Sequence, residues 1–486
     1  MKVNPSPILI TGNKLSYSWL LALVLSTSMY LAPGHVAGQS QDSILSFEAF
    51  IDIVRQHHPF VYRTELLLGM RDADVLKARG AFDPKISSSL DHKQFDDKNY
   101  FTLLQGGLSV PLIFGSDIKL SFDRNNGQFL NNSDIVPDQG LFGPGIDLVL
   151  GRGLISDNRR ATLERSKLLR LAGEFEKQII LNELMFNAAQ SYLYWQQSSL
   201  TEQLIVESVV LAQNRLAITK ESMENGFMAP VDTLETSIEL QSRQQNLLSI
   251  LEKNTNNKTE LGNYLWVDGT LPVQLEEGMQ SDSLALDYIL GIVDSLQLFE
   301  DELLTTHPLL ASYDNKISVL EVDEKLNKEN LKPDLRLSYS PLIDFDNQIN
   351  NGSLFMDNYK AGAFFSYPIF TRKERAELQK TRLKIEDTGY TRRQKEQELR
   401  TLLRQYATSI AFTRQQLERI TKIRTDSKAL LDAELDKFRI GESSVFLVNS
   451  REQKYIAIRK KEIDLRLDLL QTGLKYIYKL NRLDLL

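Results

Sequence analysis

Two stretches decide the fold: SDNRRATLERSK at 156–167 and TRKERAELQKTR at 371–382. Superimposed, they align Arg160-Ala161 with Arg375-Ala376 at an offset of 215 residues, and the same offset carries ENGFMAP, with Gly226, onto RIGESSV, with Gly441. The chain between those landmarks therefore repeats without insertion. Upstream, QHHPFVY with Pro59 recurs as TTHPLLA with Pro308, and AFDPKISSSL with Pro84 recurs as NLKPDLRLSY with Pro333, both at an offset of 249. The difference between the offsets, 34 residues, is extra chain in the first copy. A duplicated unit restricts the fold more than any single motif. Fixed spacing downstream and variable spacing upstream read as packed helices joined to looser segments, because surface loops tolerate insertion.

Periodicity changes type twice within each copy. Residues 43–82 read as helix, with Phe50, Ile53, Val54, Leu66, Leu67 and Met70 recurring every three or four positions. After Pro84 the period becomes two: Ile118, Leu120 and Phe122 alternate with Lys119, Ser121 and Asp123, and in the second copy Leu335, Leu337 and Tyr339 alternate with Arg336, Ser338 and Ser340. NNGQFLNNSD from Asn125 and DFDNQINNG from Asp344 read as turns or exposed loops.

From 156–225 and 371–440 the helical period returns. No proline lies between Pro144 and Pro230 or after Pro368, leaving windows of 85 and 118 residues without an obligatory helix breaker. Leu399, Leu403, Tyr406, Ile410, Leu417 and Ile420 follow heptad-like spacing, and Leu184, Ala188, Trp195 and Ile205 fill matching places in copy one. A helix of about 70 residues is on the order of 100 Å long. Such a stripe predicts coiled-coil packing against neighbours of similar length. Second helices at 231–262 and 446–480 make each copy end as a hairpin. The chain thus divides into a leader (1–38), repeat 1 (43–262), a linker with one short helix (263–300) and repeat 2 (301–486).

Composition narrows the function. There is no cysteine, which excludes disulfide frameworks, thiolate metal sites and a cysteine nucleophile. A net charge of -7 argues against a nucleic-acid partner, whose phosphates need a concentrated cationic surface. Residues 1–38 hold Lys2 and Lys14, no acidic residue, the apolar run WLLALVLSTSMYLA and small residues around Ala37, the pattern of a secretory signal peptide. Amphipathic strands on a secreted chain belong in a soluble sandwich or in an outer membrane. Four to six strands are too few to close a barrel with a lumen, and hydrocarbon does not tolerate open sheet edges. Closure shared around a ring of identical subunits answers both demands.

The duplicated His-Pro (His58-Pro59, His307-Pro308), the prolines opening each strand set, the turns GRGLISDNRRA and SYPIFTRKERA, and the far glycines Gly226 and Gly441 together resemble the TolC-like outer-membrane efflux proteins from about Ser43 to Leu480. The resemblance implies an α+β membrane protein: a homotrimer with a 12-stranded outer-membrane β-barrel, four strands per subunit, continued by a long periplasmic α-barrel. It further implies a passive exit duct in a Gram-negative outer membrane, surrounded by outer-membrane lipid and served by a periplasmic adaptor and an inner-membrane pump in efflux or type I secretion. The competing reading is a periplasmic coiled-coil scaffold without a pore. The first strand region, 84–150, departs from the pattern, with room for four strands where the family uses two. Its extra residues are expected to form an enlarged extracellular loop or hairpin, with a larger barrel as the alternative.

By the same resemblance, the hairpin tips dock the adaptor, through Gly226, Phe227, Met228, Pro230, Gly441, Ser443, Val445 and Phe446, and acidic residues on the following helix constrict the periplasmic aperture. Asp232 and Glu235 take that place in copy one; Leu447 replaces the aspartate in copy two. Asp232 and Glu235 also have capping-box spacing, a purely structural use. Packing between adjacent tips likewise accounts for the apolar tip residues. Catalytic, cofactor and metal sites are not expected: His57, His58 and His307 cluster at helix–proline junctions, and His92 lies in a strand. None forms a helical pair of metal-ligand spacing.

Overall fold

The computed structural model describes residues 44–276, 278–282, 285–344 and 357–486; the signal-like segment 1–38 and most of DFDNQINNG lie outside them. In chain order the main elements begin with α1 (Phe47–His57), α2 (Pro59–Arg79), β1 (Lys85–Phe95), β2 (Lys98–Pro111), β3 (Asp117–Asn126) and β4 (Leu141–Val149). Next come α3 (Asn158–Glu224), α4 (Pro230–Leu261), α5 (Ala285–Gln297), α6 (Glu300–Thr305) and α7 (Pro308–Glu329). The chain ends with β5 (Asp334–Pro341), β6 (Tyr359–Ser366), α8 (Arg372–Arg439) and α9 (Val445–Lys479).

The long helices α3 and α8 contain 67 and 68 residues. In the half nearer the hairpin tips, α3 packs on α4, α8 packs on α9, and α3 meets α9, giving the order α4-α3-α9-α8. In the half nearer the sheet, α2 and α7 take the places of α4 and α9, giving α2-α3-α7-α8. Leu399, Leu403 and Ile410 on α8 and Leu184, Ala188 and Trp195 on α3 are buried along the seam.

The helical stretch 43–82 is two helices rather than one. Proline lacks an N–H and pushes its predecessor into extended backbone, and His58 accordingly has ψ 136°. His58 then caps α2, its Nδ1 accepting the Phe60 N–H at 3.2 Å, while its ring also bonds the Asn263 backbone just beyond the end of α4. His307 repeats the device: Nδ1 accepts the Leu309 N–H at 3.2 Å, and Nε2 lies 3.0 Å from the Lys479 carbonyl at the end of α9. Each His-Pro therefore splices a short helix end-on to the helix behind it, so that α4 with α2, and α9 with α7, make continuous partners for α3 and α8.

The short helix expected in the linker is α5, and it is packed against α9. Ile289 and Val293 of α5 are fully buried, and Gly473 of α9 lets them approach, since an added Cβ would lie 3.2 Å from Ile289. Around this junction Phe47, Phe50 and Trp195 surround Tyr192, whose hydroxyl donates to the Leu45 carbonyl at 2.7 Å.

The strands form one antiparallel sheet in chain order, β1-β2-β3-β4-β5-β6, with the short piece Ile343–Asp344 also on β4. Asp96 and Asp97, both at φ 55°, make the two-residue turn between β1 and β2, the left-handed pair that matches strand twist. The pairs Pro111↔Asp117, Asp117↔Asp147 and Asp334↔Ser366 lie toward the helices; the Asp96-Asp97 turn and residues 127–140 lie at the far end. Among the described residues the sheet thus has six long strands where the resemblance implies four. The extra chain of the first copy is a full hairpin inside the ladder, because its alternating residues pair in register with both neighbours.

Candidate functional site: hairpin tips and two-faced sheet

Both hairpin tips are built the same way. α3 ends with Gly226 at φ 77°, the Gly226 N–H bonded to Met223 O at 2.9 Å and the Phe227 N–H to Ser222 O at 2.9 Å. α8 ends with Gly441 at φ 80°, the Gly441 N–H bonded to Phe438 O at 3.1 Å and the Glu442 N–H to Lys437 O at 2.9 Å. These are Schellman caps, which need a left-handed residue and hence glycine. Nothing lies within 4 Å of a Cβ added at either position, so backbone conformation alone demands glycine there.

The tip side chains divide by exposure. Phe227 is 84% exposed and Phe446 is 65% exposed, while Val445 is 3% exposed and packs inward, so Val445 is corrected from docking surface to core. Pro230 is exposed and Met228 half-buried, whereas the Ser443 hydroxyl donates to Glu434 of α8. That bond, with Arg451 nearby, holds the Glu434 carboxyl below its usual range.

Asp232 is the third residue of α4, and its carboxylate accepts the Ala229 N–H at 3.1 Å, the reciprocal half of a capping box. Glu235 does not complete that box. Its carboxylate instead accepts from Asn449 Nδ2 of α9 at 3.4 Å. Deeper between the hairpins lies a cluster the spacing argument missed. Glu452 of α9 bonds both Arg215 of α3 and Arg243 of α4; Arg215 Nη1 reaches Asn449 at 2.7 Å, and Arg243 Nε reaches Glu239 at 2.8 Å. The available signal was charge on an apolar stripe: Glu452 continues Val445 and Val448, and Arg215 continues Leu204, Ser208 and Ala212.

The sheet has two chemically distinct faces. Directly paired residues share a face, so the register assigns Ile86, Leu90, Leu104, Leu108, Val110, Ile118, Leu120 and Phe122 to one side. Phe142, Ile146, Leu148, Leu335, Leu337, Tyr339, Ala361 and Phe365 continue it across the other strands. Opposite stand Lys85, Ser87, Ser89, Asp91, Ser109, Lys119, Ser121, Asp123, Asp147, Arg336, Ser338 and Lys360. Ser88, His92, Thr102 and Arg124 interrupt the apolar face, and Phe101, Leu103, Leu141, Val149 and Phe364 interrupt the polar one. At the helical end the polar-face charges are paired: Lys119 with Asp147, Arg336 with Asp334 at 2.7 Å, and Asp117 with Arg159 of α3 at 2.9 Å.

Among the described residues no group of three or more His, Asp or Glu side chains is arranged to hold a metal ion, and no helix is long and apolar enough to cross a membrane. No family model matches the chain, and no curated protein matches its sequence. Solved structures do match. The Campylobacter jejuni CmeC outer membrane channel superimposes with a TM-score of 0.61 at 12% identity, over 90% of this chain and 85% of that one. VceC, an outer membrane protein of Vibrio cholerae, gives 0.63 at 12% identity, over 90% and 96%. CusC, described for its transmembrane channel formation, gives 0.63 at 13% identity, over 93% and 95%. The chain has the fold of the TolC-like outer-membrane channels.

Proposed function

We propose that this protein is an outer-membrane channel, a homotrimer that serves as the passive exit duct of a tripartite efflux or type I secretion system. The observation that carries the reading is the six-stranded sheet, apolar on one face and polar on the other, with both edges unpaired among the described residues. In lipid every backbone polar group must be satisfied, so two open edges require partners that bring the same kind of ladder. The apolar face then meets lipid and the polar face lines water. The long helices continue the duct into the periplasm, and their tips, with exposed Phe227 and Phe446, supply the surface for an adaptor that links it to an inner-membrane pump. Solved structures of the same fold include outer-membrane channels, which supports the same assignment.

The test is fractionation and conductance. The full-length protein is expected in the outer membrane as a trimer that dissociates on heating, and in planar bilayers it should conduct ions. Release as a soluble periplasmic protein would favour the scaffold reading and end the channel one.

A further inference from the structure

We propose that each subunit contributes six strands to the shared barrel, so that the trimer closes 18 strands by pairing β1 of one copy with β6 of the next. The proposal rests on the trimeric channel reading above and specifies the width of its outer-membrane segment.

The first argument is occupancy. A subunit contributing four strands would present β3 and β6 to its neighbours. β3 has no free edge: it pairs with β2 from Thr102↔Asn126 to Pro111↔Asp117 and with β4 from Asp117↔Asp147 to Asp123↔Leu141. Among the described residues the free edges of the sheet path are β1 and β6. Docking a neighbour on β3 would require stripping the whole β2–β3 ladder.

The second argument is patterning. A hairpin standing outside the barrel in water has no reason to keep one apolar face. Over their helix-proximal part β1 and β2 keep it in register with the rest, through Ile86, Leu90, Leu104, Leu108 and Val110, broken by Ser88, with Lys85, Ser87 and Ser89 on the other side; toward the far turn His92 and Thr102 join the apolar side and Phe101 and Leu103 the polar one. Their lengths, 11 and 14 residues, meet the roughly 9–11 needed for a tilted strand to span a bilayer.

The third argument is complementarity of the edges. β1 runs away from the helices and β6 runs toward them, so the new pair is antiparallel, as an even strand count demands. Levelled at their helical ends, Lys85 faces Ser366. Ile86 then faces Phe365 and Leu90 faces Ala361 on the apolar side, while Asp91 faces Lys360 on the polar side. The helical layer has the same handed edges. α2 and α4 of repeat 1 lie at one side and α8 of repeat 2 at the other, so a single head-to-tail rotation closes both layers.

The consequence is a wide lumen. With strands about 4.8 Å apart and tilted about 40°, 18 strands give a backbone diameter of about 36 Å, against about 24 Å for 12.

The chain has no cysteine of its own, which makes crosslinking in native outer membranes unambiguous. Phe364→Cys on β6 is combined with Lys85→Cys, Ser87→Cys or Ser89→Cys on β1, a series that spans a two-residue slip in register either way. The comparison set combines Phe364→Cys with Lys119→Cys or Ser121→Cys on β3. Disulfide-linked oligomers up to trimer are expected from at least one β1 pair and from no β3 pair. Linkage through β3, or a conducting trimer linked through neither strand, overturns the 18-stranded closure while leaving the channel intact. Absence of any trimer removes the channel reading, and this one with it. A density map of the detergent-solubilised trimer gives the independent count: 18 strands support the proposal, and 12 refute it.

Discussion

Glu452 of α9 is paired across the helical layer with Arg215 of α3, and both side chains are buried, at 1% and 9% exposure. Arg243 of α4 closes on the same carboxylate, so one anion ties the α3–α4 hairpin to α9. Charge in such a place adds little as a pair, because desolvation offsets the attraction, but removing one partner strands the others. Glu452→Ala would leave two buried guanidinium groups without that counterion and is expected to destabilise the folded protein by about 3–5 kcal/mol. The readout is the denaturation midpoint of the purified protein. Replacing Glu452, Arg215 and Arg243 together by Leu, Met and Met should recover most of the loss; a triple variant as unstable as the single one would refute the stranded-charge account.

The imidazoles of His58 and His307 must be neutral to accept the cap hydrogen bond at Nδ1, and burial lowers the pKa of both below the ordinary 6.5. The sign follows from proton uptake. Above about pH 6.5 both histidines are neutral in the folded and unfolded chain, and the caps are intact. As pH falls from there toward the lowered folded-state values, the unfolded chain binds protons first, so stability decreases, by at most about 1.4 kcal/mol per pH unit for each histidine. Asparagine can cap without titrating. Melting curves between pH 7.5 and 5 should therefore slope less steeply for the His58→Asn, His307→Asn double variant than for the parent. Parallel slopes would show that other groups carry the dependence.

These histidines also mark where sequence reading stops. The doubled His-Pro is visible as a repeat, but its second bond, to the end of α4 or α9, joins residues 172 positions apart in the case of His307 and Lys479. No local pattern encodes that reach. The long helices were legible because heptad-like spacing and the absence of proline are local properties. The extra hairpin was half legible: alternation at Ile118, Leu120 and Phe122 announces a strand, whereas membership of one continuous sheet depends on the pairing of Leu108 with Leu120 and of Ile146 with Tyr339. The resemblance places Val445 on the docking tip, yet it begins the stripe that leads to Glu452 and turns inward.

Gly226 and Gly441 occupy left-handed backbone with open space around them. Alanine at either site adds no clash, so the penalty is the conformational one alone, about 1–2 kcal/mol per site. Gly226→Ala and Gly441→Ala are expected to lower the denaturation midpoint by similar amounts, with asparagine milder at both because it enters the left-handed region more readily. A large asymmetry between the two glycines would mean that one tip is held by contacts beyond its own cap.

Asp232 offers the sharpest separation of structure from transport. Its carboxylate already accepts the Ala229 N–H, which explains an aspartate at the third helical position without any pore. If three copies also converge at the periplasmic aperture, as the resemblance implies, their charge favours cations over anions in the resting channel. Asp232→Ala removes both cap and charge and is expected to loosen the tip by about 0.5–2 kcal/mol, raise resting conductance and weaken cation preference. Asp232→Asn keeps an oxygen acceptor for Ala229 while removing the charge, so it should hold the tip and still lose cation preference. Single-channel conductance and reversal potentials in a salt gradient distinguish the cases. An asparagine variant with parental selectivity, beside an alanine variant with raised conductance, would assign Asp232 to capping alone.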